Sequence, residues 1–411
     1  MADVTVDVAI IGAGLAGLIA AQKLSQAGKC VLVLEARERV GGRTYASAMA
    51  GSARAVDWGA EWVLPDFHAN MMGLIERYGL ELESERASVE WRAPGFSVVA
   101  SYDELRRSHA GFDYGLTALQ AWFERPASGD ETRLSVQALL EALIQDSVSR
   151  ALVELALFPL LGADMAEVAA KALREEIRFH GGNVDLTFSP EARRLFGGFG
   201  GLAEKIAQEL PAGILRLNTP VRAIRQAGET VTITGDGVSV MAGRVLLAVP
   251  VAVLHQIEMS PVIAGIGREA SARMNAGQVV KLWARAQGAA PVTSLQTAPP
   301  LRFVYSWERD GELLVCAQAL VRDVEGQDPA ALFAAALPGV KILSASAQNW
   351  LADPYARGSW MAAALGAYPP ACFAEVFGRV RVIGGDVAAE WAGWMEGAVL
   401  SAGQAVREIL A

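Results

Sequence analysis

The stretch from Val8 to Glu35 limits the fold more than any other part of the chain. Asp7 to Ile11 is an apolar run of the kind presented by a strand buried on both faces. It passes directly into Gly12-Ala-Gly-Leu-Ala-Gly17 and a helical stretch from Leu15 to Ala27, which Gly28 stops. Lys29 to Leu34 is a second apolar strand and ends on Glu35. Gly12 permits the tight turn, Gly14 lets a pyrophosphate approach the backbone, and Gly17 lets helix and strand pack closely. The helix N-terminus offers free N–H groups and the positive end of its dipole to phosphates. Glu35, 18 residues past Gly17, stands where a carboxylate can bind both ribose hydroxyls, which argues against a 2′-phosphate. Glycine patterns of this kind arise by chance. Its place between a strand and a helix, with the acid at this distance, makes this one a dinucleotide site rather than a glycine-rich turn of another α/β fold.

The next segment, Ala36 to Thr44, carries Arg37, Gly41, Gly42 and Arg43. Two glycines let the loop fold over the pyrophosphate, and Arg43 can neutralise it with a forked hydrogen bond. Glu35 followed by Arg39-Val-Gly-Gly-Arg43 resembles the FAD-binding signature of flavin-containing amine oxidases. That group holds monoamine, polyamine and L-amino-acid oxidases, with phytoene desaturases and protoporphyrinogen oxidases more distant. The resemblance implies FAD as the dinucleotide. It also implies an α/β fold: a Rossmann-like FAD-binding domain of the glutathione-reductase/amine-oxidase type with an interleaved α+β substrate domain. The expected division is 1–79, 196–255 and 355–411 for FAD, with 80–195 and 256–354 for substrate.

Ala55 to Val63 resembles the family segment that passes beside the flavin ring, which implies cofactor contacts at Gly59, Ala60, Glu61 and Trp62. Asp66 to Tyr78 reads as a helix with Met71, Leu74, Ile75 and Tyr78 on one face, closed by Gly79. Residues 80–195 are poor in strand signal. Leu134–Gln145, Ser149–Leu161 and Asp164–Ile177 are successive helical patterns, which the family uses to roof its substrate cavity. His180 to Phe188 is the piece expected to look into that cavity.

The chain returns to the cofactor domain at Gly197, with a helix over Ala203–Leu210 and a strand over Ile214–Val221. In the family a backbone group at the Val221 position meets the adenine. Strands are expected at Thr230–Thr234 and Val238–Met241, then at Arg244–Pro250, whose end resembles a family turn next to the flavin. Further on, Val279–Ala286, Leu301–Glu308 and Glu312–Ala319 read as strands, Ala289–Pro300 as a loop, and Ala330–Leu337 as a helix. Asn349 to Trp360 looks like a family proline-tyrosine segment. Arg379 to Asp386 is a strand ending in a Gly-Asp turn, and the resemblance implies that the Asp386 carboxylate stands where a ribityl hydroxyl can meet it. Trp391-Ala-Gly-Trp-Met-Glu-Gly-Ala-Val399 opens the last helix, with Met395, Ala398, Val399, Ala402, Val406 and Ile409 inward.

The resemblance also assigns the chemistry. Flavin supplies the two-electron step, and the protein supplies position, dryness and charge. A helix beginning at Met395 directs its N–H groups at the pyrimidine edge of the flavin. Trp360 and Trp394 stand where the monoamine oxidases carry two tyrosines that steer the amine. An indole pair still offers π-faces, yet it narrows the cavity and leaves the identity of the amine open. Lys281 aligns with the family lysine that holds a water against the reactive nitrogen of the flavin. In an apolar strand it needs a partner, water or a path to solvent. Ser359 replaces the cysteine that bonds the flavin in animal monoamine oxidases, so the FAD is expected to be non-covalent.

The implied partners are a small-molecule amine and dioxygen, and a homodimer is an open expectation. Three alternatives stay open: an L-amino-acid oxidase with Arg92, Arg178 or Arg302 on the substrate carboxylate, a flavin dehydrogenase or desaturase with another acceptor, and a non-catalytic flavin scaffold. Composition removes other classes. Net charge is −9, with no basic cluster of the sort nucleic acid demands. The four histidines lie far apart without ligand spacing, so no metal is expected. Cys30, Cys316 and Cys372 are scattered, which suggests a reducing compartment. The uncharged Gly358–Ala374 stretch is interrupted by Pro369 and Pro370, no window reads as a membrane span, and no basic leader precedes Asp7. The chain stops at Ala411 without the anchor helix of membrane-bound relatives. A cytoplasmic protein with no membrane anchor is the expectation.

Overall fold

The computed structural model describes residues 4–83, 89–127, 129–262, 274–288, 294–309, 311–367 and 376–411. Cys372, the Pro369–Pro370 interruption and the first five residues of the expected 289–300 loop lie outside them.

The first strand runs Val4–Ile11, the first helix Leu15–Gln26 and the second strand Val31–Leu34, as the apolar runs and Gly28 dictate. These two strands are parallel, and the first also pairs in parallel with Val238–Leu247. They form the centre of a nine-stranded sheet. The sequence divides Val238–Leu247 into two strands at Gly243, but the structure keeps one. One edge stays on the first strand from Val240 to Leu247, while the other passes from the Thr230–Gly235 hairpin partner to Val380–Val382. An unbroken register against the first strand on one side, from Ala242 to Arg244, holds the strand together across the glycine. The expected Ile214–Val221 strand is likewise split: Leu215–Arg216 borders the second strand, and Val221 opens the separate strand Val221–Ala227.

On one face of this sheet the first helix packs against Gly200–Gln208 and the last helix, Met395–Leu410. Met395, Val399, Ala402 and Val406 are buried there, and Ala398 and Ile409 border the same cluster. The helix expected over Asp66–Tyr78 runs Ala69–Arg77, with Met71 and Ile75 buried.

A second sheet of seven strands has the order Lys341–Asn349, Val279–Gln287, Glu312–Leu320, Phe303–Arg309, Ser294–Thr297, Val89–Ala93 and Phe96–Val99. Four of these strands escape the sequence reading. Val89–Ala93 and Phe96–Val99 form a hairpin at one edge, inside the stretch read as poor in strands. Lys341–Asn349 covers the other edge and is half-exposed along its length, so it lacks an apolar signal. Ser294–Thr297 lies in the expected loop; its Ser and Gln are polar, yet the whole strand is buried between two neighbours.

Helices Val136–Leu143, Ser147–Leu161 and Ala170–Phe179 lie against this sheet as one apolar cluster with Ala110–Glu124, a helix the sequence reading omits. The third begins six residues later than Asp164. Val168 and Ala169 make bridges to Ala364 and Ser135 instead of joining a helix. Among the described residues no helix is long and apolar enough to cross a membrane, and no group of His, Cys, Asp and Glu could hold a metal ion.

Candidate active site

A single cleft opens along the carboxyl ends of the central parallel strands and continues over one face of the second sheet. Sixteen of the residues singled out from sequence line it: Gly12, Gly14, Glu35, Arg37, Gly42, Arg43, Gly59, Ala60, Glu61, Trp62, Val221, Lys281, Trp360, Asp386, Trp394 and Met395. Gly17 is behind the wall. A Cβ there would stand 2.0 Å from the Gly12 carbonyl oxygen, so this glycine serves the close helix–strand approach. Gly12 itself has φ +103, and its Cβ would meet the Ala248 oxygen at 2.6 Å.

At the strand end of the cleft, the buried Glu35 carboxylate accepts the Ala13 amide at 2.7 Å and the Arg37 amide at 2.9 Å. The Arg37 guanidinium donates to Asp353 at 2.5 Å. Arg43 does not present its fork to the cleft. One branch donates to the Ser359 carbonyl at 2.6 Å and the other to Asp386 at 2.5 Å, while the second Asp386 oxygen accepts the Val251 amide at 3.0 Å. Arg43 and Asp386, assigned from sequence to pyrophosphate and ribityl groups, thus tie together four segments of the wall, at residues 43, 251, 359 and 386.

The residues fit a flavin dinucleotide. Backbone rather than side chain lines much of the groove, through Gly12, Gly14, Gly41, Gly42, Gly59, Gly384 and Gly385. A Cβ at Gly14 would find its nearest atom 3.9 Å away and one at Gly384 none within 4 Å, so the space there is open to a ligand. Two helix N-termini, at Leu15 and at Met395, border the cleft, and neither carries a side-chain cap. The signature around Met395 has its own structural logic. Glu396 accepts the Asn70 and Met71 amides at 3.1 and 2.8 Å, capping the Ala69–Arg77 helix. Gly397 leaves room for the Trp391 carbonyl, which a Cβ would approach to 2.1 Å.

Lys281 does not reach solvent. It is buried, ion-paired with Glu61, and donates to the Gly59 carbonyl at 3.0 Å. Burial alone would lower its pKa; Glu61, Cys316 and Asp57 more than reverse this, so the ammonium is held charged. The Tyr305 hydroxyl donates to the same Glu61 oxygen, and Arg194 stands 3.6 Å from the other. Glu61, expected to meet the cofactor, is therefore the hub of a buried network that the segment pattern alone could not reveal.

Trp360 and Trp394 both border the cleft, and both turn their N–H away from it. Trp360 Nε1 donates at 2.8 Å to the Leu160 carbonyl, at the end of the Ser147–Leu161 helix. The indole lies over Gly162, where a Cβ would meet its ring at 2.3 Å. Trp394 Nε1 faces both oxygens of Glu176 at 3.4 Å. Burial pushes that carboxyl up to about 8, an effect the Trp394 hydrogen bond opposes. His180 is buried beside Trp391 and Trp394, at 5.1 and 6.5 Å between ring centres. The His180–Phe188 piece therefore sits behind the tryptophans and does not line the cleft; Pro159 and Leu160 do. Sequence reasoning also missed Gln318, on the cleft wall. A lone glutamine in an apolar strand was the available signal.

A Rossmann-type crevice joined to a cavity walled by two indoles and a buried lysine defines a flavoenzyme. A family profile of flavin containing amine oxidoreductases matches residues 15–410, and the chain belongs to that family: it is a flavin-dependent oxidoreductase acting on amines. It is similar to the (S)-6-hydroxynicotine oxidase of Paenarthrobacter nicotinovorans, at 26% identity over 98% of this chain and 99% of that one. A pseudooxynicotine dehydrogenase from a Pseudomonas species is also 26% identical, over 97% of this chain and 85% of the other. A solved putrescine oxidase with putrescine bound superposes with a TM-score of 0.86, covering both chains fully at 22% identity, which shows the shared fold.

Proposed function

We propose that the protein binds FAD non-covalently and oxidises a primary or secondary amine to the imine, with dioxygen reduced to hydrogen peroxide. The cleft itself carries this reading: one continuous space joins the Glu35 crevice to Lys281, Trp360 and Trp394. When bound, the flavin supplies the acceptor for the hydride that leaves the carbon beside the amine nitrogen. Gly12, Gly14 and Gly42 would take the pyrophosphate against backbone N–H groups, Glu35 the ribose and Val221 the adenine. Gly59 to Trp62 and the Met395 helix terminus would border the ring. Trp360 and Trp394 orient the amine with their π-faces, their N–H groups being used elsewhere. Lys281, fixed by Glu61, keeps a positive charge at the cleft wall. Ser359 is buried and offers no thiol, which supports non-covalent binding.

The L-amino-acid oxidase reading loses its support. Arg92 pairs with Glu90, Arg178 with Glu175 and Arg302 with Asp323, and none of the three lines the cleft. The two-domain division at residues 79, 195, 255 and 354 remains part of the proposal, as do a homodimer and a cytoplasmic location, the last consistent with free Cys30 and Cys316.

The test is anaerobic titration of the purified holoprotein with a panel of amines and amino acids. The expected outcome is bleaching of the flavin absorbance by an amine and rapid return of colour with peroxide on admitting air. Slow return would replace dioxygen by another acceptor, as the name of the dehydrogenase relative allows. A protein that takes up no flavin would overturn the reading.

A further inference from the structure

On the second sheet, in-register pairing sets Gln318 beside Lys281 on one neighbouring strand and beside Phe303 on the other. Residues directly opposite one another across strands project from the same face. Gln318 and Lys281 accordingly share the face over which the cleft runs, and both line it. Gln318 is 4% exposed, yet its buried Oε1 has no hydrogen-bond partner among the described residues. Buried carbonyl oxygens are almost always satisfied, and an unpaired one is costly. The adjacent Lys281 ammonium donates to Glu61 and the Gly59 carbonyl and makes no bond to this oxygen. The cleft that Gln318 lines is the side from which a ligand donor reaches it.

We propose that Gln318 is a substrate-recognition residue, accepting a hydrogen bond from a neutral O–H or N–H group on the body of the amine. This rests on the cleft being the amine site, where the reacting nitrogen is held between the two indoles. A neutral donor fits better than a second ammonium. A buried cation needs a carboxylate, and the carboxylate beside Gln318, that of Glu61, is already shared by Lys281 and Tyr305. The substrate class is therefore an amine bearing a hydroxyl or amide N–H, rather than a diamine or a pure hydrocarbon amine.

The test compares matched amines on the holoenzyme: tyramine with phenethylamine, which differ by one hydroxyl, and butane-1,4-diamine with butylamine. Sites built to hydrogen-bond a substrate group discriminate strongly against analogues that lack it. The wild type should prefer tyramine to phenethylamine in kcat/KM by about tenfold or more, with the difference in the anaerobic dissociation constant rather than in the rate of flavin reduction. Gln318→Met, similar in length but without an acceptor, should abolish that preference. Gln318→Glu should raise the preference for the diamine over butylamine by about tenfold, since a carboxylate can pair with its distal ammonium. A wild type that treats tyramine and phenethylamine alike would overturn the proposal, as would a Gln318→Met protein that loses both equally. If Gln318→Met does not take up flavin, the diamine ratio of Gln318→Glu decides. Failure of every amine to bleach the wild-type flavin would instead defeat the amine-site reading itself.

Discussion

Removing the Lys281 ammonium isolates the physics of the buried network. Lys281 and Glu61 side chains are 5% and 3% exposed, so their attraction acts in a weakly polarisable interior. At an effective dielectric near 20, two charges about 3 Å apart attract by roughly 5 kcal/mol, much of it offset by the cost of taking both from water. Breaking such a pair from one side costs more than its net contribution, because the survivor is left charged and dry: about 3–5 kcal/mol. Here Glu61 keeps the Tyr305 hydroxyl and Arg194 at 3.6 Å, so Lys281→Met is expected near the lower end, about 3 kcal/mol. Glu61→Gln should cost a similar amount, since it removes the paired charge and leaves the ammonium with neutral oxygens at positions 59 and 61. The double variant Lys281→Met/Glu61→Gln removes both charges and should cost at least about 2 kcal/mol less than the sum. Urea unfolding of the flavin-saturated proteins measures all corners of the cycle. Additivity within about 0.5 kcal/mol, or a Lys281→Met cost below about 1 kcal/mol, would refute the coupling. The pH dependence gives a second check. The folded pKa of Lys281 lies above its ordinary 10.5, so the stability it contributes is present in full below that pH and fades above it. The gap between wild type and Lys281→Met should be level below pH 10.5 and narrow above.

Two further outcomes follow from the walls of the cavity. Glu176 titrates near 8 when folded against 4.5 ordinarily, so the folded state binds its proton more tightly and stability falls as pH rises between these values. Glu176→Gln should flatten that part of the slope and abolish a fluorescence transition of Trp394 near pH 8; urea midpoints at pH 5 and pH 9 that shift as in wild type would contradict this. Gly162 ends its helix at φ +56, so Gly162→Ala should cost about 1–2 kcal/mol. It should also displace Trp360, changing KM for bulky amines more than for small ones; a uniform loss in kcat/KM across sizes would count against a Trp360-specific effect.

Much of this site was legible because its signals are local. The strand–glycine–helix–strand–acid unit of residues 7–35 fixes its own geometry within one supersecondary element, and the structure reproduces it. The terminal helix was equally readable from its periodicity, including the inward Met395. Weak edge strands were not, since Lys341–Asn349 is half-exposed and its register depends on Val279–Gln287 alone. The roof helices were readable as helices, but which of their residues meet the cleft was not. Helical spacing gives a buried face and says nothing about which partner covers it.

The sequence by itself determined the strand–glycine–helix crevice, the approach of its glycines and the presence of a lysine in an apolar strand and of two tryptophans. Only the tertiary structure decided what those side chains touch. Lys281 meets Glu61 across 220 positions, Trp394 meets Glu176 across 218, and Gln318 comes to the wall through strand register. Turns and helices follow from interactions within a few residues of the chain. A buried charge or amide instead takes its partner from wherever packing of the whole fold brings one, and no local pattern encodes that meeting.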